Sequence, residues 1–209
     1  MRHQCKVAAL LIGLCVVATA QDIRRVGECS VRPGTLCADM NLNGANFHGA
    51  DLSNSQLSGS NLVSANFQDA ELDGANLTRA DLRGANLREA SLNDADLRAA
   101  SLVGANLSEA ELNGANLQNV IMGAANLQGA GMRGADLFLA DLAFAKLQEA
   151  RLQRANLRAA NLTGVSLANA DLRGANFTNA NLTDADLRGA KLEAAIFAGA
   201  KTAGCRGCP

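Results

Sequence analysis

Large apolar side chains recur at every fifth residue along most of this chain, and this spacing restricts its fold more than any other feature. From Leu42 to Phe197, all 32 positions in steps of five hold Leu, Phe or Met. An α-helix turns by about 500° over five residues, which would spread these side chains around its surface. In a flat β-strand an odd step sends successive side chains to opposite faces. Neither regular element buries this pattern on one side.

A chain that turns a corner at every fifth residue does bury the pattern. In "ANLTR" the side chains of Ala75 and Leu77 then point inward, and those of Asn76 and Thr78 point outward. The corner resets this alternation before Ala80. Four such sides close a coil of twenty residues, and the 32 pentapeptides make eight coils. At about 4.8 Å per coil, the stack is roughly 38 Å long.

The positions around each large residue are also regular. Two places before it, 27 of the 32 residues are Ala, because little room remains near a corner once Leu fills the interior. The exceptions are Met40, Ser55, Ser60, Val120 and Val165. Gly often stands two places after the Leu, as at Gly84 and Gly104, where a corner favours a positive φ.

These repeats resemble a known family. The stretches "ANLTR", "ADLRG", "ANLRE" and "ADLRA" are similar to the A(D/N)LXX unit of pentapeptide repeat proteins, and the resemblance covers about residues 38 to 200. It implies an all-β fold, a right-handed quadrilateral parallel β-helix (solenoid) of about eight coils. The handedness follows from the resemblance and not from the spacing. Some relatives dimerise through their C-terminal coils, so the resemblance also implies a homodimer contact there.

The first twenty residues differ from the repeats. Arg2 and Lys6 precede an apolar run from 7 to 18, which ends in Ala18-Thr19-Ala20. This pattern is typical of a secretory signal peptide cleaved after Ala20. An uncleaved membrane anchor is the alternative, but the run is too short to span a bilayer. Removing Arg2 and Lys6 changes the formal net charge from −1 to −3.

The cysteines remaining in the mature chain lie outside the repeats. We expect an N-terminal cap over 21–38, a β-helix over 39–199 and a C-terminal tail over 200–209. Closeness in sequence favours the disulfides Cys29–Cys37 and Cys205–Cys208, one at each end. The alternative pairings would have to cross the whole stack. The stretch "DIRRVGEC" in the cap is expected to form a short helix, although Gly27 and Pro33 limit its length.

The residues carry no pattern that indicates catalysis. A square solenoid without insertions has a filled interior and flat sides, so we expect no enzyme activity, no cofactor and no metal site. The mature chain has one histidine, His48, which we interpret as a solvated surface residue. Nucleic acid is not an expected partner, because no basic stripe with aromatic residues is present.

Residues twenty apart lie above one another in this fold, so surface columns can be read from the sequence. One column predicts a ladder of hydrogen-bonded amides at Asn46, Asn66, Asn86, Asn106 and Asn126. A second column stacks like charges along one corner, at Asp69, Glu89 and Glu109. Further acids lie beside it, and arginines follow along the same side: Glu71, Asp73, Asp94, Glu111, Arg133, Arg151 and Arg154. Two interpretations remain open, a solvated charged surface and a binding site for a cationic partner.

A third feature is apolar. In "DLFLADLAFAKL" the outward and corner positions hold Phe138, Leu139 and Phe144. Ile121 takes the usual Asn/Asp place one coil earlier, and Val103 is outward nearby. We interpret these residues as an exposed contact patch for a partner. The alternative is that Leu139 and Phe144 fold over their own corners.

The sequence therefore predicts an exported, non-enzymatic protein-interaction or scaffold module of the cell envelope, in the periplasm or secreted. In a photosynthetic host the thylakoid lumen is the corresponding compartment. We expect an unidentified protein partner and no membrane span after signal cleavage. One alternative comes from the resemblance: relatives in fluoroquinolone resistance mimic DNA and protect a topoisomerase, which requires a cytoplasmic location. The other is a thiol-disulfide role of the C-terminal "CRGC".

Overall fold

The structure is a computed structural model that describes residues 25–209, and the predicted signal peptide lies outside these residues. Strand β1 (Arg25–Val26) pairs antiparallel with strand β2 (Cys29–Ser30). The helix expected in this segment is wrong for its described part, because the chain reverses at Gly27, which has a φ of +60°. Glycine favours this left-handed conformation, and the hairpin replaces the helix.

The rest of the chain is a parallel β-helix. Isolated parallel bridges join residues twenty apart, from Leu36 with Gln56 to Asp186 with Arg206. The repeat register therefore extends a few residues beyond both predicted boundaries, 39 and 199. Four pentapeptides form each coil, as the spacing predicts. No helix within 25–209 has the length and hydrophobicity needed to cross a bilayer.

The interior is formed by the large residue of each pentapeptide and the Ala two places before it. The central residues from Leu52 to Leu187 are at most 2% exposed. Two ladders of this interior contain stacked rings, with centroids 4.8 Å apart for Phe47 and Phe67 and 4.9 Å apart for Phe177 and Phe197. Burying one such side chain stabilises the fold by about 1.5–3 kcal/mol.

The backbone N–H groups of one pentapeptide show why Asn or Asp precedes each Leu. The N–H groups of Asn76, Leu77 and Arg79 donate to carbonyls of neighbouring coils. The N–H of Ala80 closes the corner by donating to the Leu77 carbonyl, at 3.0–3.1 Å in most coils. The remaining N–H, that of Thr78, donates to Oδ1 of Asn76 at 3.1 Å. The Asn76 side chain thus accepts a hydrogen bond from the one backbone N–H of the pentapeptide that has no carbonyl partner in its own or a neighbouring coil.

Every corner uses the same backbone conformation. The residue two places after the central one has a φ of about +55° to +75° throughout the repeats, whether it is Gly or not. Together with the hydrogen bond from residue four to residue one, this is the geometry of a type II turn. The predicted need for positive φ is confirmed, and twenty non-glycine residues also adopt it.

Each end of the stack carries a disulfide with the favoured pairing. Cys29 and Cys37 join the hairpin to the first coil, and both are buried. Cys205 and Cys208 join just after the last corner, at Ala203 and Gly204, and are partly buried against the core. Gly207 lies so close to the Leu187 carbonyl that a Cβ there would be 2.9 Å from it. The chain therefore closes over the Leu187 column only with glycine at this position.

Candidate functional site

One side of the β-helix carries a group of exposed apolar residues over three successive coils. We call it the Ile121 side; its central residues include Leu102, Met122 and Leu142. Ile121 is bridged to Ser101 in the preceding coil and to Asp141 in the following coil. Its position is therefore fixed by backbone pairing on both edges.

Four residues form an apolar patch on this side and its two corners. The exposed fractions are 40% for Val103, 46% for Ile121, 48% for Leu139 and 67% for Phe144. Val103 and Ile121 lie on the side itself, Leu139 on the corner before it and Phe144 on the corner after it. Gly104, Gly123, Ala124 and Ala143 fill small positions among them, and the polar Asp141 stands between Leu139 and Phe144. Three successive coils thus present four exposed apolar side chains around Ser101 and Asp141, and Asp141 Oδ1 accepts hydrogen bonds from the Ala143 N–H and Asn161 Nδ2.

The two corner residues adopt the left-handed turn conformation although both are large. Leu139 has a φ of +58° and Phe144 a φ of +60°. The Phe144 ring extends over Gly164, where a Cβ would lie 2.7 Å from the ring atoms. Phe144 therefore leans along its corner column onto the following coil, and the alternative interpretation, in which Leu139 and Phe144 fold over their own corners, is met only in part. Phe144 nevertheless keeps two thirds of its surface exposed.

Phe138 does not join this patch. It lies on the adjacent side, one place after Leu137, and is half-buried. The guanidinium of Arg158 lies 5.9 Å from its ring centroid, within the range of a cation–π contact. The sequence placed Phe138 with Leu139 because they are neighbours in the chain, whereas the corner between Leu137 and Ala140 separates their directions.

The acidic column predicted along one corner is present, and two of its members have cationic or polar neighbours. Asp69, Glu89 and Glu109 all have a φ between +56° and +59°. His48 Nδ1 lies 3.7 Å from the Asp69 carboxylate, and Arg88 pairs with Glu89. The pair between Arg88 and Glu89 reduces the repulsion along the column. The column is consistent with a solvated charged corner.

The side after that corner is charged along its whole length. We call it the Arg133 side; its central residues include Leu72, Leu112, Met132 and Leu172. Asp73 accepts hydrogen bonds from Ser91 Oγ at 2.5 Å and from the Asn93 N–H at 2.8 Å. Further along, Arg151 forms an ion pair with Glu111. The predicted change from acids to arginines therefore lies on one side of the molecule.

A repeated Asp–Leu–Arg motif forms a local fork. Arg188 Nε and Nη2 donate to the two Asp186 carboxylate oxygens at 2.8 and 2.6 Å. The Arg188 side chain thereby lowers the pKa of Asp186 to about 2. The same fork lowers the carboxyl pKa in the other copies of the motif, at Asp81 with Arg83, Asp96 with Arg98 and Asp171 with Arg173. Sequence reasoning missed these pairs, although the spacing of two residues on one outward side signals them.

The predicted amide ladder is confirmed. Each Nδ2 donates to the Oδ1 of the Asn one coil earlier, at 3.0–3.4 Å, through Asn66, Asn86, Asn106 and Asn126. In the part of the chain that the structure describes, no group of three or more His, Cys, Asp or Glu side chains is arranged to hold a metal ion.

Comparison with known proteins agrees with this geometry. The family model described as pentapeptide repeats matches the chain in eight copies, over residues 40–79, 80–119, 90–129, 105–142, 135–174 and 160–199. Among solved structures, HetL, a pentapeptide repeat protein involved in heterocyst differentiation regulation from the cyanobacterium Nostoc sp. strain PCC 7120, is 33% identical. That similarity covers 84% of this chain and 88% of HetL, with a TM-score of 0.50.

Two further structures are similar. A pentapeptide repeat protein from the Arabidopsis thaliana thylakoid lumen is 38% identical over 48% of this chain and 67% of its own, with a TM-score of 0.39. QnrB1, a plasmid-mediated fluoroquinolone resistance protein, is 21% identical over 77% of this chain and 90% of its own, with a TM-score of 0.47. A search of curated proteins found no significant match. The structural neighbours imply a right-handed β-helix.

Proposed function

Because the chain belongs to the pentapeptide repeat family, we propose that it is a non-enzymatic protein-interaction module that works in the cell envelope. It consists of about eight quadrilateral coils between two disulfide-bonded ends. The first twenty residues direct its export, and the mature rod resides in the periplasm or outside the cell. In a photosynthetic host the thylakoid lumen is the equivalent compartment.

The apolar patch on the Ile121 side is the observation that carries this proposal. A rod with a filled interior has no need of exposed Ile, Leu and Phe on one side, because burial elsewhere already stabilises it. Contiguous apolar surface on a protein is typical of a contact site for a partner. Ile121, at the centre of the patch, is held by backbone pairing on both edges, so it suits a rigid complementary surface.

Two observations support the export part of the proposal. The sequence of residues 1–20 has the pattern of a cleaved signal peptide. The disulfides Cys29–Cys37 and Cys205–Cys208 pair all four cysteines of residues 25–209, as expected for a protein of an oxidising compartment.

The test is affinity capture with a variant that restores ordinary repeat residues. In I121N/F144G, Asn is the usual residue before a central Leu and Gly suits the positive φ of the corner, so the rod keeps its fold. The matched control is I196N, because Ile196 occupies the equivalent position on another side and is 48% exposed, against 46% for Ile121. After crosslinking in the native host, a partner recovered with wild type and I196N but lost with I121N/F144G supports the proposal. Equal recovery with all three proteins contradicts it.

Fractionation separates this proposal from the topoisomerase-binding alternative. We expect a mature protein that begins at Gln21 in the envelope fraction. A full-length chain that remains in the cytoplasm would instead favour the alternative. The thiol-disulfide alternative is tested by insulin reduction with Cys205 and Cys208 both replaced by Ser: activity of the wild type that this variant lacks would favour it.

A further inference from the structure

A groove of about 410 Å³ lies on the Arg133 side, two pentapeptides away from the apolar patch and therefore on the opposite side of the coil. It is lined by Arg133, Gln153, Arg154 and Arg173. Three of these residues, Arg133, Gln153 and Arg173, occupy the same outward position in successive coils. Arg154 stands on the corner beside Gln153, with a φ of +60°.

The arginines of this groove differ in their pairing. Arg173 donates from Nε and Nη2 to the two carboxylate oxygens of Asp171, at 2.8 and 2.6 Å. Among residues 25–209, no carboxylate lies within ion-pair distance of the guanidinium of Arg133 or Arg154. The groove therefore carries two positive charges without a direct counter-ion.

The acids near the groove do not cancel these charges by contact. Asp171 is occupied by the Arg173 fork and by the hydrogen bond from the Arg173 backbone N–H. Glu111 is paired with Arg151, which lies forty residues, and therefore two coils, further along the chain. Glu193 acts on Arg173 only through longer-range attraction. An anion that enters the groove therefore meets two guanidinium groups without a paired carboxylate, those of Arg133 and Arg154. The third, that of Arg173, is paired with Asp171.

From this arrangement we infer that the groove binds a phosphoryl group, either as free phosphate or as a phosphate monoester. Arg133 and Arg173 are two coils apart, about 10 Å along the axis, and Arg154 lies to the side between them. Arginine side chains therefore line the groove at three positions, and the one at Arg173 is already forked to Asp171. A tetrahedral phosphoryl group offers oxygens in three directions, whereas a planar carboxylate is satisfied by one fork.

The chain contains a matched reference for this site. A second groove lies on the next side, 75 residues earlier in the chain, and we call it the reference groove. Its residues in the same order as Arg133, Gln153, Arg154 and Arg173 are Ser58, Thr78, Arg79 and Arg98. Arg79 has the same corner conformation, with a φ of +58°, and its N–H donates to the Arg98 carbonyl at 3.0 Å, as that of Arg154 does to Arg173. Arg98 is likewise forked to Asp96. What the reference groove lacks is the third arginine, since Ser58 stands in the place of Arg133.

The experiment is a titration of the mature protein with inorganic phosphate, glucose 6-phosphate and acetate at low ionic strength, followed by amide NMR shifts. We expect saturable phosphate binding with shifts around Gln153, and at least fivefold weaker binding in both R133Q and R154Q. The control R79Q, which removes the same charge from the reference groove, should stay within twofold of wild type. Each variant's unfolding midpoint verifies that the rod is intact.

The two phosphate probes distinguish the source of the group. Tighter binding of glucose 6-phosphate supports a monoester, and tighter binding of inorganic phosphate supports the free ion. The inference is overturned if phosphate shifts do not saturate, if acetate binds equally well, or if R79Q weakens binding as much as R133Q.

Discussion

Arg151 forms an ion pair with Glu111 across an entire coil, because the residue between them in the same column is Gly131. A Cβ on Gly131 would occupy the space of the Glu111 carboxylate and would also approach the Arg151 guanidinium. The absence of a side chain at one position thus permits contact between residues forty apart in the sequence. The pair joins the acidic and basic halves of the Arg133 side.

This relationship predicts the effect of G131A. Gly131 does not have a positive φ, so the added methyl acts through the ion pair and not through backbone strain. Because both side chains are about half exposed, a double-mutant cycle with E111Q and R151Q should give a coupling of about 0.2–1 kcal/mol, weaker at high salt. In the G131A background the coupling should vanish. The control is G123A, whose Cβ would make only an ordinary 3.7 Å contact. A coupling that survives in G131A contradicts the contact.

Two buried serines at alanine positions should respond to the same substitution in opposite ways. Ser55 and Ser60 are both 0% exposed. Ser60 Oγ donates to the Cys37 carbonyl at 2.7 Å and accepts from the Met40 N–H at 3.1 Å. Ser55 Oγ has no hydrogen-bond partner among the described residues.

We therefore expect S60A to lower the free energy of unfolding by about 1–3 kcal/mol, because it leaves buried backbone groups unpaired. S55A should raise it by up to about 1 kcal/mol, because it removes an unpaired hydroxyl. Urea unfolding measures both. Equal destabilisation by the two variants would show that Ser55 is hydrogen-bonded in solution.

The corner conformation predicts a second matched pair of substitutions. Gly104 has a φ of +65° with open space around its Cβ direction, and Ala99 has a φ of +57° at the equivalent place one pentapeptide earlier. G104A should destabilise the rod by about 1 kcal/mol through the left-handed backbone alone. A99G should be neutral to stabilising. It relieves the strain of the left-handed backbone at residue 99, and the greater conformational entropy of Gly in the unfolded chain offsets at most this gain. A neutral G104A in urea unfolding would contradict the positive φ.

The Asp–Arg forks predict an acid-dependent loss of stability. The pKa of Asp186 is lowered from near 3.8 to about 2 by Arg188. A group whose pKa is lowered by folding stabilises the fold above its unfolded pKa, and this contribution is lost as the pH falls through about 2. We expect an NMR carboxyl titration of Asp186 with a midpoint near 2, moved upward in R188Q. In R188Q, stability should also fall less between pH 4 and pH 2. An Asp186 midpoint unchanged by R188Q would refute the fork.

The period of five determined most of the fold in advance. It predicts which residues are buried, the coil of twenty residues and the amide ladder of Asn66 with its neighbours, and all three are present in the structure. These features follow because each repeats an identical local geometry. The pairing of the Thr78 N–H by Asn76 was not predicted, since it appears only when every backbone donor of one pentapeptide is accounted for.

Where periodicity ends, sequence reasoning was less successful. The hairpin of Arg25–Val26 and Cys29–Ser30 replaced an expected helix, because a single reversal at Gly27 leaves no periodic signal. Phe138 was grouped with Leu139 because they are adjacent in the chain. Phe138 is an outward residue of one side, whereas Leu139 is the corner residue that follows it, so their side chains point in different directions. The groove at Arg133 depends on two kinds of side-chain pairing: the spacing of two residues signals the Asp171–Arg173 fork, whereas the Glu111–Arg151 pair joins residues forty apart and depends on the missing side chain at Gly131.

Every assignment of a residue to a side depends on one claim, that residues twenty apart lie directly above one another. Distances between spin labels test it most directly, with one label at Ser58 and the other at Arg158, Thr178 or Ala198. These outward positions share one column and are five, six and seven coils from Ser58. We predict separations of about 24, 29 and 34 Å, increasing by one coil spacing each time. Separations that do not grow by a constant step, or that exceed this range, would contradict the stacked coil.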